Sequence, residues 1–133
     1  MLNFIWPVPG FRRITSGFMT AERPNHRGID IGRNLSPPLA IDGATIVAVA
    51  GGCVSGAGLG HRSMGNWIEI SHGCGWVSRY MHNRENFVAT GMSVLKGEPI
   101  GLVGNTGLST GPHLHIELLH HGKHVDPVCW LGF

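Results

Sequence analysis

An all-β fold is what this sequence predicts, on three observations. Glycine supplies 21 residues and proline 8, spread without a fixed period, which suits many short strands joined by tight turns. Two stretches, Trp67 to Ser71 and Leu114 to Leu118, alternate apolar and polar residues with the period of a strand. No stretch carries the apolar repeat of a strong amphipathic helix, and no internal repeat is visible. The length of 133 residues suits one domain, 1–133, with its own core.

Composition narrows the class further. Hydrophobic residues make up 42% and charged residues only 14%, so the chain is globular. A net charge of +2 with neutral histidines is too small to propose a nucleic-acid partner. No apolar run approaches the roughly 20 residues of a membrane span. Met1 to Gly10 lacks a basic segment and is broken by Pro7 and Pro9, so it does not read as a signal peptide. Cys53, Cys74 and Cys129 allow at most one internal disulfide. Cys53 and Cys74, on either side of one hairpin, are the expected pair, with three buried thiols as the alternative.

In chain order, Asn3 to Gly17 reads as an irregular lead-in with one short strand. Arg23-Pro24-Asn25-His26-Arg27-Gly28-Ile29-Asp30-Ile31-Gly32 is the first chemical cluster. Pro24 and Gly28 disfavour a helix there. In an extended chain His26, Gly28 and Asp30 share one face while Ile29 and Ile31 face the core. The bare Gly28 between them leaves room for an ion. His26 and Asp30 are suitable metal ligands, or a simple hydrogen-bonded pair. Pro37-Pro38 marks an exposed connection, Ile46 to Ala50 a buried strand, and Gly51-Gly52 a bend or bulge. Gly56 to Gly65 reads as a glycine-rich loop. Trp67 to Ser71 is a strand, His72 to Gly75 its turn, and Trp76 to Met81 the next strand, with His82 at its end beside a cleft.

Ile100 to Gly104 is a further short strand, and Thr110-Gly111-Pro112 is a turn opening the last long one. On that strand His113, His115 and Glu117 fall on one face and Leu114, Ile116 and Leu118 on the other. Two imidazoles held side by side suit a metal, or one ligand and one catalytic base. His120-His121-Gly122-Lys123-His124 reads as a solvent-facing hairpin tip. The tail is expected to pack back through Cys129, Trp130, Leu131 and Phe133.

In this order, His26 with Asp30, Tyr80-Met81-His82, and Gly111-Pro112-His113-Leu114-His115 resemble the M23 metallopeptidase family, the lysostaphin/LytM-type cell-wall endopeptidases. Asn66 to Gly73 and Gly104 to Glu117 extend the resemblance over almost the whole chain. It implies a mostly antiparallel sheet with a groove across one face, walled by the loops 32–43, 56–65 and 83–90. It implies one zinc ion held by His26, Asp30 and His115, with a fourth position left for water. His113 and His82 match the two non-ligand histidines, one to take a proton from water and one to stabilise the oxyanion or hold the water. The implied partner is bacterial peptidoglycan peptide, the location extracytoplasmic and the state monomeric. The sequence departs from the family's usual residues at Met81 and Asn83, on either side of His82. A non-catalytic wall-binding module on the same scaffold is the alternative, and such a module has no need of all five residues.

Overall fold

The strand Leu114–His120 carries the alternation that the sequence announces, and the rest of the main sheet is arranged around it. The structure is a computed structural model that describes residues 2–133. Its strands are β1 (Arg13–Ser16), β2 (Ile29–Gly32), β3 (Asn34–Leu35), β4 (Pro38–Leu39), β5 (Thr45–Val47), β6 (Gly52–His61) and β7 (Gly65–Gly73). They continue with β8 (Trp76–Asn83), β9 (Glu85–Asn86), β10 (Ser93–Val94), β11 (Pro99–Leu102), β12 (Leu114–His120) and β13 (Lys123–Val125), followed by a single 3-10 turn at Pro127–Cys129. The main sheet runs β1-β2-β12-β8-β7-β6-β10, with β13 paired to β12 as well. Every pairing is antiparallel. A second sheet, β5-β11-β9, supplies the other side of the core. No helix among the described residues is long and apolar enough to cross a membrane.

The apolar faces of these strands meet in one cluster. Ile29 and Ile31 from β2, Leu114, Ile116 and Leu118 from β12, Ile68 and Ile70 from β7, and Ile46 and Ile100 from the second sheet are all fully buried. Tyr80 is buried with them. Its hydroxyl accepts from the Val49 backbone N–H at 3.1 Å and lies 2.8 Å from Ser78 Oγ, which reaches His72 Nε2 at 2.8 Å. Burial pushes the Tyr80 phenol up to about 12, so the group stays neutral and serves as a polar cross-tie between the sheets.

Several sequence expectations change here. Residues 56–61 are strand, not loop. A Cβ on Gly56 or Gly58 would run into the Trp67 ring across the pairing, so those glycines make room for an aromatic neighbour. The irregularities of β6 fall between Val54 and Gly56 and between Gly58 and His61, past the Gly51-Gly52 pair. All three cysteines are free and exposed, neither bridged nor buried. Of the tail, Leu131 is fully buried, and Trp130 and Phe133, though partly exposed, pack on Trp76 and Trp6 with ring centres 4.8 and 5.3 Å apart, so Cys129 alone does not pack back as expected. His120 stacks on Trp76 at 4.0 Å, so the β12–β13 hairpin does not simply offer its histidines to solvent.

Gly28 leaves no cavity for an ion. A Cβ there would strike the Ile116 carbonyl oxygen of β12, so the bare backbone is what lets β2 and β12 come together. Gly28→Ala is therefore expected to cost about 1–3 kcal/mol of stability by forcing those strands apart. Gly111→Ala, where a Cβ meets nothing within 4 Å, should stay within about 0.5 kcal/mol. Urea unfolding of the two variants measures the difference, and equal midpoints would contradict the packing argument.

Candidate active site

The β2–β12 register sets Asp30 directly opposite His115, and partners opposed across an antiparallel pair share a face. His26 arrives from the loop before β2. Its Nε2 lies 3.2 Å from His115 Nδ1 and 3.3 Å from Asp30 Oδ1, and His115 Nδ1 lies 2.9 Å from that same oxygen. All three residues are buried, and they form the one group of potential metal ligands among the described residues. Ligands at zinc distances of about 2.0–2.1 Å in a tetrahedron are about 3.3 Å apart. The three donor atoms thus have the spacing, and the two-imidazole, one-carboxylate chemistry, of three corners of such a shell.

Hydrogen bonds behind each ligand fix which atom faces inward. His26 Nδ1 donates to the Gly17 carbonyl at 2.7 Å, which leaves Nε2 with its lone pair toward the group. His115 Nε2 donates to Glu117 Oε2 at 3.0 Å, which turns Nδ1 inward. Arg23 donates to Asp30 Oδ2 at 3.2 Å and to Ser16 Oγ at 3.0 Å, so Oδ1 is the carboxylate oxygen left for a metal. Such contacts orient ligands and strengthen their basicity. Glu117 is itself held from two more sides, by His124 Nε2 at 3.0 Å and by Arg79 at 3.4 Å. Arg79 is anchored in turn on Glu69 at 2.7 Å.

The charges follow from this geometry. Burial works to raise the Asp30 carboxyl, but the His115 hydrogen bond and the charges of His113, His115 and His26 outweigh it and hold it low. For Glu117 burial is likewise outweighed, by His115 and His124, and the carboxyl drops to about 2. Burial disfavours the His115 cation, yet the hydrogen bonds to Asp30 and Glu117 lift it to about 9. Asp30 and Glu117 thus flank His115 as two carboxylates held low, a setting that favours a cation.

Two further imidazoles face the group. His113 Nδ1 donates to the Gly111 carbonyl at 2.8 Å, and its Nε2 lies 3.6 Å from Asp30 Oδ1. His82 Nδ1 donates to the Thr106 carbonyl at 2.8 Å, and its ring centre is 4.9 Å from that of His113. Burial pushes the His82 imidazole below its ordinary pKa. Both rings therefore present Nε2, each spoken for by nothing behind it. Simple alternation would send His82 to the opposite face from Met81. The β7–β8 register slips between Asn66/Asn83 and Ile68/Tyr80, and His82 has φ +68°. A bulge with one left-handed residue re-aims the side chain, a device found beside active sites.

A groove of about 870 Å³ runs over this cluster, and all five residues line it. Its rims come from Arg23 to Arg27, from Ser63 and Met64, and from Leu108 to Thr110. Of the expected walls, 32–43 contributes to an adjoining cleft through Gly32, Arg33 and Ala40 to Asp42, and 56–65 contributes only its tip. No residue of 83–90 lines the groove. Sequence reasoning missed Arg23, Arg79 and His124 as parts of the site. Glu117 had a visible signal, since it stands two residues beyond His115 on the same strand face.

The profile of peptidase family M23 matches residues 24–127. The peptidoglycan DD-endopeptidase ShyA of Vibrio cholerae is 34% identical over 128 residues, 91% of this chain and 28% of that protein. The murein hydrolase activator NlpD of Salmonella dublin is 36% identical over 126 residues, 95% of this chain and 30% of that protein. The crystal structure of a zinc-containing peptidase from Vibrio cholerae superposes with a TM-score of 0.78 at 32% identity, over 93% of this chain and 39% of that one. The chain thus spans under a third of the length of these two curated relatives.

Glu117→Gln keeps an acceptor for His115 but removes the charge behind it. It is expected to weaken zinc binding by about 10- to 100-fold with the fold intact, as read by chelator competition. Glu98→Gln, half-buried and outside the groove, should leave zinc affinity unchanged. Equal affinities in the two variants would deny Glu117 its part in orienting His115.

Proposed function

The chain belongs to peptidase family M23, and on that premise we propose that it is a single zinc-dependent endopeptidase domain hydrolysing peptide bonds of bacterial peptidoglycan outside the cytoplasm. His26, Asp30 and His115 are the metal ligands in this reading, and His82 and His113 the catalytic histidines. The observation that carries it is the convergence of three inward donor atoms with two imidazole Nε2 atoms along one groove. Zinc held there supplies the Lewis acidity that brings water ionisation near neutral pH and polarises a carbonyl.

The chain's own residues do the rest. His113, with its Nδ1 proton committed to Gly111, has only Nε2 available, so it accepts the proton of an attacking water and returns it to the leaving amine. His82, kept neutral by burial and with its Nδ1 proton on the Thr106 carbonyl, accepts a hydrogen bond at Nε2 and holds the water in place. Arg23 keeps Asp30 pointed with one oxygen inward. The groove admits an extended peptide, whose scissile carbonyl would lie between the two histidines and the ligand triad.

A second reading is a non-catalytic module that acts through partners, favoured by the similarity to the murein hydrolase activator. A module that only binds has no use for two further histidines with free Nε2 atoms, and this favours the enzyme.

His113→Ala is expected to retain about one zinc per chain while losing about 100-fold or more in the rate of new amino termini released from purified sacculi. Asp30→Ala is expected to lose both metal and activity, and chelator should abolish cleavage by the unaltered protein. Full activity in His113→Ala would overturn the assigned chemistry. Zinc binding with no cleavage of any wall type would select the non-catalytic module.

A further inference from the structure

We propose that the cleft adjoining the ligand triad is a carboxylate-binding subsite, built by Arg13 and Arg33 with Arg23 at its inner edge, that selects acidic stem peptides over neutral glycine bridges. The inference rests on the peptidoglycan reading above and names the part of the wall that the groove takes.

The cleft, of about 540 Å³, shares Arg23, Asp30, Thr110 and His113 with the main groove, so it is a continuation of it past the reacting centre. Arg13 stands opposite Gly32 on the edge strand β1, and Arg33 follows Gly32 in the chain. One guanidinium therefore comes from the edge strand and the other from the residue just past the end of its partner β2, and both line the cleft. Both residues are exposed, and among the described residues neither has a carboxylate within 4.0 Å nor a side-chain hydrogen bond. The neighbouring Arg12 is different: its guanidinium lies 4.9 Å over the Trp6 ring and donates to the Gly132 carbonyl.

The acids of the cleft do not neutralise these cations. Asp30 is taken by Arg23 and the histidines, and Asp42 sits 3.9 Å from Arg84. Two like charges with no internal partner in a concave surface favour an anion. The guanidinium fork matches a carboxylate in particular. The main groove itself is lined by the uncharged Met64, Met81 and Leu108 and by Arg27 at its rim. A substrate that fits the cleft carries a carboxylate close to the scissile bond. A run of glycines has nothing for Arg13 and Arg33 to meet.

The test uses two soluble cross-linked stem-peptide dimers, identical except that the side carboxylates are free in one and amidated in the other. Both are given to the zinc-loaded protein and to its Arg13→Gln/Arg33→Gln double variant. A parallel calorimetric titration uses the uncross-linked peptide in its free and amidated forms, at low and high salt. The expected result is a preference for the free acid of about tenfold, the scale of one charge-assisted contact, in both kcat/KM and affinity. That preference shrinks with salt and disappears in the double variant. Equal handling of the two forms by the unaltered protein, or a preference retained by the double variant, would overturn the subsite. Failure to cleave either dimer would instead count against the hydrolytic reading, and the titration would still decide the subsite by the same criteria.

Discussion

Everything functional in this molecule hangs on one antiparallel pairing, β2 against β12, with Asp30 opposite His115. A strand register is all-or-none: one residue of slip turns every side chain to the other face. The register is locked from below by Ile29 and Ile31 packed with Leu114, Ile116 and Leu118, all fully buried. Gly28 locks it from the side, since β12 lies against its bare backbone. The hydrophobic core therefore does more than stabilise the fold. It decides that a carboxylate and an imidazole meet at 2.9 Å with only a loop histidine needed to complete the triad.

The second layer of design is the set of hydrogen bonds that leave each imidazole one free nitrogen. Gly17, Glu117, Gly111 and Thr106 each take the proton of one histidine. Three of these acceptors are backbone carbonyls, so their positions are as rigid as the strands and turns that carry them. The fourth, Glu117, is a buried carboxylate, and it is tolerable only because His115, His124 and Arg79 surround it. Orientation of the site thus reaches across the sheet from β2 to β7, through Arg79 to Glu69.

Much of this was legible in the chain. A period of two placed His113, His115 and Glu117 on one face, and the same rule paired His26 with Asp30. The order of those motifs, more than any one of them, pointed to the family. What was not legible depended on contacts between residues far apart in sequence. Gly28 was read as room for an ion because the strand that fills that room lies some 90 positions away. Gly56 and Gly58 were read as loop because nothing local reveals the Trp67 ring above them. His124 was given to solvent because only the β12–β13 register brings it onto Glu117. The aim of His82 depends on a bulge that alternation cannot anticipate. The cysteines, expected to pair or hide, do neither: all three are free and exposed.

Arg13 and Arg33 line the cleft beside the triad, and Met64, Met81, Leu108 and Arg27 line the main groove. In the proposed reading such a surface orients an extended peptide as well as binding it. It matters only if the triad holds the metal as described, with two imidazoles, one carboxylate and a position left open. Zinc K-edge X-ray absorption on the purified, zinc-loaded protein tests that most directly. The account predicts nitrogen and oxygen neighbours at about 2.0–2.1 Å, with outer-shell scattering from two imidazoles and none of the rest. Sulfur at about 2.3 Å, or scattering from three or more imidazoles, would contradict it.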